Sequence, residues 1–310
     1  IQCADRYLAV LYDYLHEKMY GYHVLQADET PVLVNKDGRP AGSKSYMWVY
    51  RTGRIYADRQ IVLYEYQRTR NASHPREFLK KFSGICVTDG YQVYHTLEDE
   101  REDLKIAGCW SHARRRFDEA VKALPKAKQK DSRAYLALTM IQAIYREEKQ
   151  LKELPSPERH NRRQLSIRPL VEAYFTWVRE NLPRVPQKSK TWEGFNYSLN
   201  QEKYLKVFLD DGEVPMDNNA AEQSIRGFCI GKKNWVMIDT VVGAKSSAII
   251  YSIAETAKAN NLKPYDYFEY LLTEIPKHLD DTDRGFLDDL LPWSPNLPSN
   301  CRKPGKDEVK

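Results

Sequence analysis

The chain is poor in cysteine that could pair. Its five cysteines, Cys3, Cys86, Cys109, Cys229 and Cys301, are scattered, odd in number and never in a Cys-x-x-Cys pair. That pattern argues against a disulfide framework and a four-cysteine zinc site, and it suits a reducing cytosol. No apolar run is long enough to span a bilayer, and the opening residues carry no signal-peptide pattern. A strong excess of one charge is also missing. The formal net charge is only +5, a value reached by nucleic-acid binders and by proteins with no such role. What remains is a globular composition, 42% hydrophobic and 12% aromatic, in a length that suits one large domain or two modest ones.

Patterning gives an element order. The chain opens at Ile1 inside a helical pattern (Tyr7, Leu8, Leu11, Tyr12, Leu15), so residues 1–20 are expected to form a helix at the end of a longer upstream region. Tyr22 to Val34 alternates and is rich in Val and Leu. Ser45 to Arg51 sets Tyr46, Trp48 and Tyr50 on one face, and Ile61 to Tyr66 reads as a third strand. Asp37-Gly38 and Thr52-Gly53 are turn signals, so the three strands suggest an antiparallel meander. Pro75 to Phe82 has a helical pattern. Gly84 to Thr88 and Ile106 to Trp110 are brief apolar runs that suit buried parallel strands, and His112 to Leu124 is an amphipathic helix. The order expected over residues 21–124 is β-β-β-α-β-α-β-α, one helix more than these runs mark. Residues 125–215 show helix signals broken at Pro155-Ser156-Pro157 and Pro183 to Pro186 and are expected to be an all-helical insertion. Residues 216–281 carry a helix for which Asp217 is the expected N-cap, then a small-residue helix from Gly243 to Ala259. Residues 282–310 are expected to be a loosely attached tail.

Three acids stand out by context. Asp28 lies in Gln26-Ala27-Asp28-Glu29-Thr30-Pro31, Asp89 in Val87-Thr88-Asp89-Gly90-Tyr91, and Glu222 in Asp217-Asn218-Asn219-Ala220-Ala221-Glu222. Asp28 and Asp89 each end an apolar strand, where the functional residues of open α/β sheets gather. The alanines before Glu222 permit close approach of its helix to a sheet. Glu29 points to the opposite face from Asp28. Asp217 does not share a helix face well with Glu222, and Asp210 and Asp211 read as loop, so these four are set aside. Converging carboxylates without a His or Cys scaffold favour Mg²⁺ or Mn²⁺ over Zn²⁺, and two such ions can drive phosphodiester chemistry.

Other signals stay open between readings. Cys109-Trp110-Ser111-His112 is a half zinc motif, or a buried cysteine with a helix-starting histidine, or a histidine beside an active site. Arg114-Arg115-Arg116 spreads over more than half a helix circumference. It is a solvated face or a phosphate contact in which at most two, such as Arg114 and Arg115, share a ligand. Lys232-Lys233-Asn234-Trp235 suits a DNA backbone with a splayed base, and core packing of Trp235 fits equally. Arg226, one turn from Glu222, either orients that acid or touches DNA.

The three acid motifs, with Cys-Trp-Ser-His-Ala-Arg-Arg and Gly-Lys-Lys-Asn-Trp in the same order, resemble the insertion-sequence-sixty-six family of bacterial DDE transposases from about Gln26 to Trp293. The resemblance implies a ribonuclease-H-like fold: a mixed five-stranded sheet flanked by helices, with a large helical insertion before the last catalytic helix. It implies Asp28, Asp89 and Glu222 as the catalytic, metal-holding triad for two Mg²⁺ (or Mn²⁺) ions, with His112 beside the scissile phosphate. It also implies hydrolysis at transposon ends and strand transfer into target DNA, with double-stranded DNA as partner. A homodimer or higher assembly on DNA, accessory transposition proteins and a cytoplasmic, nucleoid-associated setting follow from the same source. Family members usually carry an upstream DNA-binding segment with a zinc-finger-like module, expected to precede Ile1. A ribonuclease-H-like nuclease that does not join strands, and a non-catalytic DNA-binding or assembly protein, are the competing readings.

Overall fold

The computed structural model describes residues 1–40 and 42–304. Its elements begin with α1 (Ala9–Met19), β1 (Val24–Lys36), β2 (Lys44–Thr52), β3 (Val62–Gln67), α2 (Ser73–Phe78) and β4 (Gly84–Val87). Then come α3 (Gln92–Glu100), β5 (Leu104–Ala107), α4 (Trp110–Lys122), α5 (Lys126–Gln129), α6 (Arg133–Gln150) and α7 (Ser156–Arg162). The helices α8 (Arg168–Asn181), α9 (Lys190–Asn200), α10 (Glu202–Asp210) and α11 (Asn219–Trp235) follow. The chain closes with β6 (Ile238–Thr240), α12 (Val241–Ala259), α13 (Pro264–Glu274) and α14 (Phe286–Leu290). The architecture is mixed α/β and divides into two compact units, one of Ile1–Gly84 with Ala220–Lys310, the other of Ile85–Asn219.

In the first unit β1, β2 and β3 form the antiparallel meander that the turn residues predict. Thr30 opposes Met47 and Met47 opposes Tyr66. The turn between β1 and β2 uses Gly38 at φ +80°, a conformation glycine adopts without strain. β6 pairs with β1 in parallel, Val34 opposite Ile238, which makes the sheet mixed. Five strands were expected and six are present among the described residues. The sixth, Ile238-Asp239-Thr240, is too short to show a period. One face of the sheet packs Val32, Val34, Met47, Val49 and Tyr64 against Ala221, Ile225 and Phe228 of α11 and Ala244 and Ala248 of α12.

The outer strand β3 is closed by side chains rather than by another strand. Thr256 Oγ1 accepts from Val62 N–H at 3.0 Å and donates to Val62 O at 2.9 Å. Ser252 Oγ accepts from Tyr64 N–H at 2.7 Å, and Asn260 accepts from Gln60 N–H at 3.1 Å while donating to its carbonyl at 2.7 Å. Ser252, Thr256 and Asn260 recur every four residues, so one stripe of α12 and its C-terminal cap satisfies the strand edge and the residue leading into it.

Two expectations are corrected here. The helix bearing Glu222 begins at Asn219, so Asp217 lies before its start; the Asp217 carboxylate still accepts from Asn219 N–H at 3.1 Å. The segment after Thr282 is not loosely attached within the described residues. Leu287, Leu290, Leu291, Leu297 and Cys301 are buried, Tyr267 donates to Leu290 O at 2.6 Å, and Lys263 N–H donates to Cys301 O at 2.7 Å. Its apolar anchors are spaced too irregularly to be read through the prolines. Residues 305–310 of the expected tail lie outside the described residues.

In the second unit β4 and β5 are neighbours, and Ile85, Cys86 and Val87 are all buried, as an apolar run without alternation requires. Trp110, Tyr174, Phe175 and Phe208 pack together with ring centroids 5.1–6.4 Å apart. Arg163, only 1% exposed, ties α6 to the end of α10. It donates to Glu148 at 3.0 Å and to the carbonyls of Phe208, Asp211 and Val214 at 2.6, 2.7 and 3.0 Å.

Candidate active site

In the first unit, the alternation of β1 puts Asp28, Thr30, Val32 and Val34 on one face, the face that α11 covers. The docking of α11 is fixed at several points. Arg51, opposite Gln26 in the sheet, donates from Nη1 to Ala220 O at 3.2 Å and to Ser224 Oγ at 3.1 Å. Tyr64 donates to Ser224 O at 2.7 Å. Further along, Thr30 Oγ1 meets Cys229 Sγ at 3.4 Å and Lys232 Nζ donates to Pro31 O at 2.6 Å. The helix therefore runs along β1 in the strand's own direction. Glu222 and Cys229 are seven residues apart, close to two full turns, so they share a helix face. The stripe that meets Thr30 thus carries Glu222 at its upstream end, toward Asp28. Both acids are half-buried. Asp28 Oδ1 accepts from the Glu29 N–H at 2.9 Å. Glu29, on the other face, is ion-paired with Arg70.

Burial pushes the Arg51 guanidinium down to about 10, with the positive charge of Arg54 acting in the same sense. Arg51 stays charged at neutral pH and anchors the first turn of α11. The exposed side of that helix is basic: Arg226 and Lys233 are exposed, and Ile230 lies between them at 58% exposure. Trp235 is half-buried and meets Phe228 edge-on at 5.5 Å, so its ring is engaged in packing.

In the second unit, Asp89 follows β4 in a tight turn. Its Oδ1 accepts from Tyr91 N–H at 2.9 Å, and Thr88 N–H donates to Ala107 O at 2.9 Å. Gly90 takes φ +90°, which a side chain would resist. At the start of α4, buried Cys109 accepts at Sγ from Asn218 N–H at 3.1 Å, and its sulfur lies within 4.8 Å of a His112 ring nitrogen. Arg115 Nη1 stands 3.4 Å from His112 Nε2. Arg114, Arg115 and Arg116 are all exposed and fan out as consecutive helical residues must. Arg114 lies over the Tyr145 ring at 5.7 Å and Arg116 over the Tyr197 ring at 4.4 Å.

Sequence reasoning missed the tyrosines. Tyr145 donates to Asp217 Oδ2 at 3.2 Å and meets Ser111 Oγ at 3.2 Å, and Ser111 donates to Asn219 Oδ1 at 2.9 Å. Tyr197 donates to the Asp89 carbonyl at 3.1 Å. Burial, then nearby negative charge, raises both hydroxyls far above the usual tyrosine range, so both remain donors at any working pH. The available signal was Gly90 beside Asp89, which marks a close approach by something outside the local sequence.

Two family models match the chain: Transposase IS66 family over residues 1–246 and IS66 C-terminal element over residues 252–293. Three similar proteins of Sinorhizobium fredii, all described as uncharacterized, align with it. Protein y4qI is 29% identical over 93% of this chain and 53% of its own length. Protein y4jD is 27% identical over 75% and 45%, and y4hP is 24% identical over 92% and 53%. The chain thus spans about half the length of these relatives.

Proposed function

The chain belongs to the IS66 transposase family, and we propose that it is a DDE catalytic core that cuts DNA at transposon ends and joins the freed strands to target DNA. The observation that carries this reading is that Asp28 lies on the sheet face covered by α11, the helix that bears Glu222, with α11 pinned there by Arg51, Tyr64 and Thr30. Asp89, held in a turn after a buried strand, is the third acid. In this reading the antiparallel meander and the buried strands β4 and β5 are the sheet of a ribonuclease-H-like core, and the helices from α5 to α10 are the insertion before its last acid-bearing helix.

The donor set fits a hard divalent cation. Asp28, Asp89 and Glu222 offer carboxylate oxygens only, which Mg²⁺ and Mn²⁺ take in preference to softer ligands. Two such ions would supply the charge that activates a water or a 3′-hydroxyl and stabilises the leaving oxygen. The protein's own residues do the rest. The three acids hold the cations, His112 contacts the scissile phosphate, and Arg114, Arg115, Arg226, Lys232 and Lys233 meet DNA phosphates. Core packing against Phe228 engages Trp235, so the lysines before it, rather than this ring, carry the DNA contact. DNA ends, target DNA and a second copy of the chain are the partners this chemistry calls for. Among the described residues no helix is long and apolar enough to cross a membrane.

The test is Mg²⁺-dependent nicking and joining of supercoiled plasmid. Asp28→Asn and Glu222→Gln should each lower product by more than the roughly 100-fold typical of losing a group that only supports a metal ligand. Retention of wild-type nicking in either variant would remove that acid from the site. Nicking without joined products would favour a plain nuclease.

A further inference from the structure

We propose that Tyr197, on α9 of the helical segment, is the positioning residue that orients Asp89 for metal binding. This inference rests on the reading of Asp89 as a metal-holding acid.

The Asp89–Gly90 peptide precedes a residue at φ +90°, a region that glycine enters freely and leaves as freely. Left to its own sequence, this peptide could rotate, and the Asp89 carboxylate would turn with it. One restraint is local: Asp89 Oδ1 accepts from Tyr91 N–H at 2.9 Å. That bond ties the carboxylate to the turn but not the turn to the protein. The second restraint is distant in sequence. The Tyr197 hydroxyl donates to the Asp89 main-chain carbonyl at 3.1 Å and fixes the orientation of that peptide. A Cβ at residue 90 would lie 2.9 Å from Gln201 Oε1 and 3.2 Å from the Tyr197 hydroxyl, so α9 and the residue after it wall the turn in.

Tyr197 is itself held. Arg116 sits 4.4 Å from its ring centroid. One turn earlier on α9, Gly194 lets the helix close on α4, where a Cβ would come within 2.7 Å of the Phe117 ring. Phe195 packs on the same ring at a centroid distance of 5.6 Å. A hydroxyl donor on a helix packed this closely is what holding one carbonyl requires. The helical segment then does more than fill the gap before Glu222. It supplies the lock on the second acid.

The test compares three single variants by titration with Mn²⁺, following free Mn²⁺ by electron paramagnetic resonance. Tyr197→Phe removes the donor and keeps the ring beneath Arg116. Its tightest Mn²⁺ Kd should rise roughly 3- to 10-fold, the range expected for one hydrogen bond, with Tm lowered no more than in Tyr174→Phe. Asp89→Asn should abolish that binding. Tyr174→Phe is the structural control: its hydroxyl meets Ser198 Oγ at 2.7 Å inside the same helical segment, so it should lower Tm and leave Mn²⁺ affinity unchanged. Wild-type affinity in Tyr197→Phe, with binding lost in Asp89→Asn, overturns the inference and leaves the proposed function standing. Equal weakening by Tyr174→Phe also overturns it, because the effect would then belong to general loosening. Unaltered binding in Asp89→Asn removes Asp89 as a metal ligand and takes both readings down.

Discussion

The two units hold their acids in different ways. In the first, Asp28 sits within a thirteen-residue strand whose register is set by continuous backbone pairing, and Glu222 rides on a helix docked along that strand. In the second, β4 is only four residues long, and Asp89 lies beyond its end in a turn braced by side chains from far along the sequence. The first unit achieves precision through repeated main-chain pairing. Any one bond is a small part of the total. The second achieves it through a few buried polar residues. Point substitutions should therefore be felt more sharply in the second unit than in the first.

Three substitutions test that contrast. Arg163→Met removes a buried guanidinium that serves Glu148 and three carbonyls. It leaves those groups unpaired and should destabilise the second unit by about 3–5 kcal/mol. Urea unfolding followed by the fluorescence of Trp110 and its neighbours would show it, and a loss below 1 kcal/mol would break the contrast. Thr256→Val strips the edge strand β3 of one donor and one acceptor. A cost of about 2–3 kcal/mol is expected, smaller because Ser252 and Asn260 still hold the strand. Hydrogen exchange at Val62 should rise while exchange at Tyr64 stays slow. Equal opening of both amides would mean that the stripe acts as a single clamp.

The smallest effect concerns pH. Glu65 lies on the sheet face away from Asp28, and burial pushes its carboxyl up to about 7, with Glu77 adding to the rise and the hydrogen bond with Gln67 opposing it. The folded state then holds this proton more tightly than the unfolded chain. Its contribution is present at low pH and is lost as pH rises from the ordinary value of 4.5 to about 7. Glu65→Gln should flatten that decline, raising Tm at pH 8 relative to wild type by about 2–4 °C, with no change in Mn²⁺ binding. A steeper decline in the variant would reverse the sign of this account.

Much of the fold was readable from periodicity. Alternation gave the meander, with observed strand limits within two residues of those expected. The buried runs at Gly84 and Ile106 gave β4 and, shifted toward the N-terminus, β5. Period-based reading failed where structure depends on single contacts. β6 is three residues long, and the segment from Phe286 to Cys301 is anchored by irregularly spaced leucines and a cysteine. The site divides in the same way. Asp28 and Glu222 could be assigned to one strand and one helix from local context. Tyr197, Tyr145 and Arg163 could not be singled out, because a tyrosine or arginine within a helical stretch looks the same whether it braces a turn or faces water. The Ser252-Thr256-Asn260 stripe, three polar residues spaced four apart in a small-residue helix, gains its purpose only from the edge of β3.

The most direct test of the central claim is a crystal of this chain soaked in Mn²⁺, with anomalous difference maps for the native protein and for Asp89→Ala. Anomalous peaks coordinated by Asp28, Asp89 and Glu222 are expected in the native crystal, and their loss in the variant. Ordered metal elsewhere, or peaks that persist without Asp89, would contradict it.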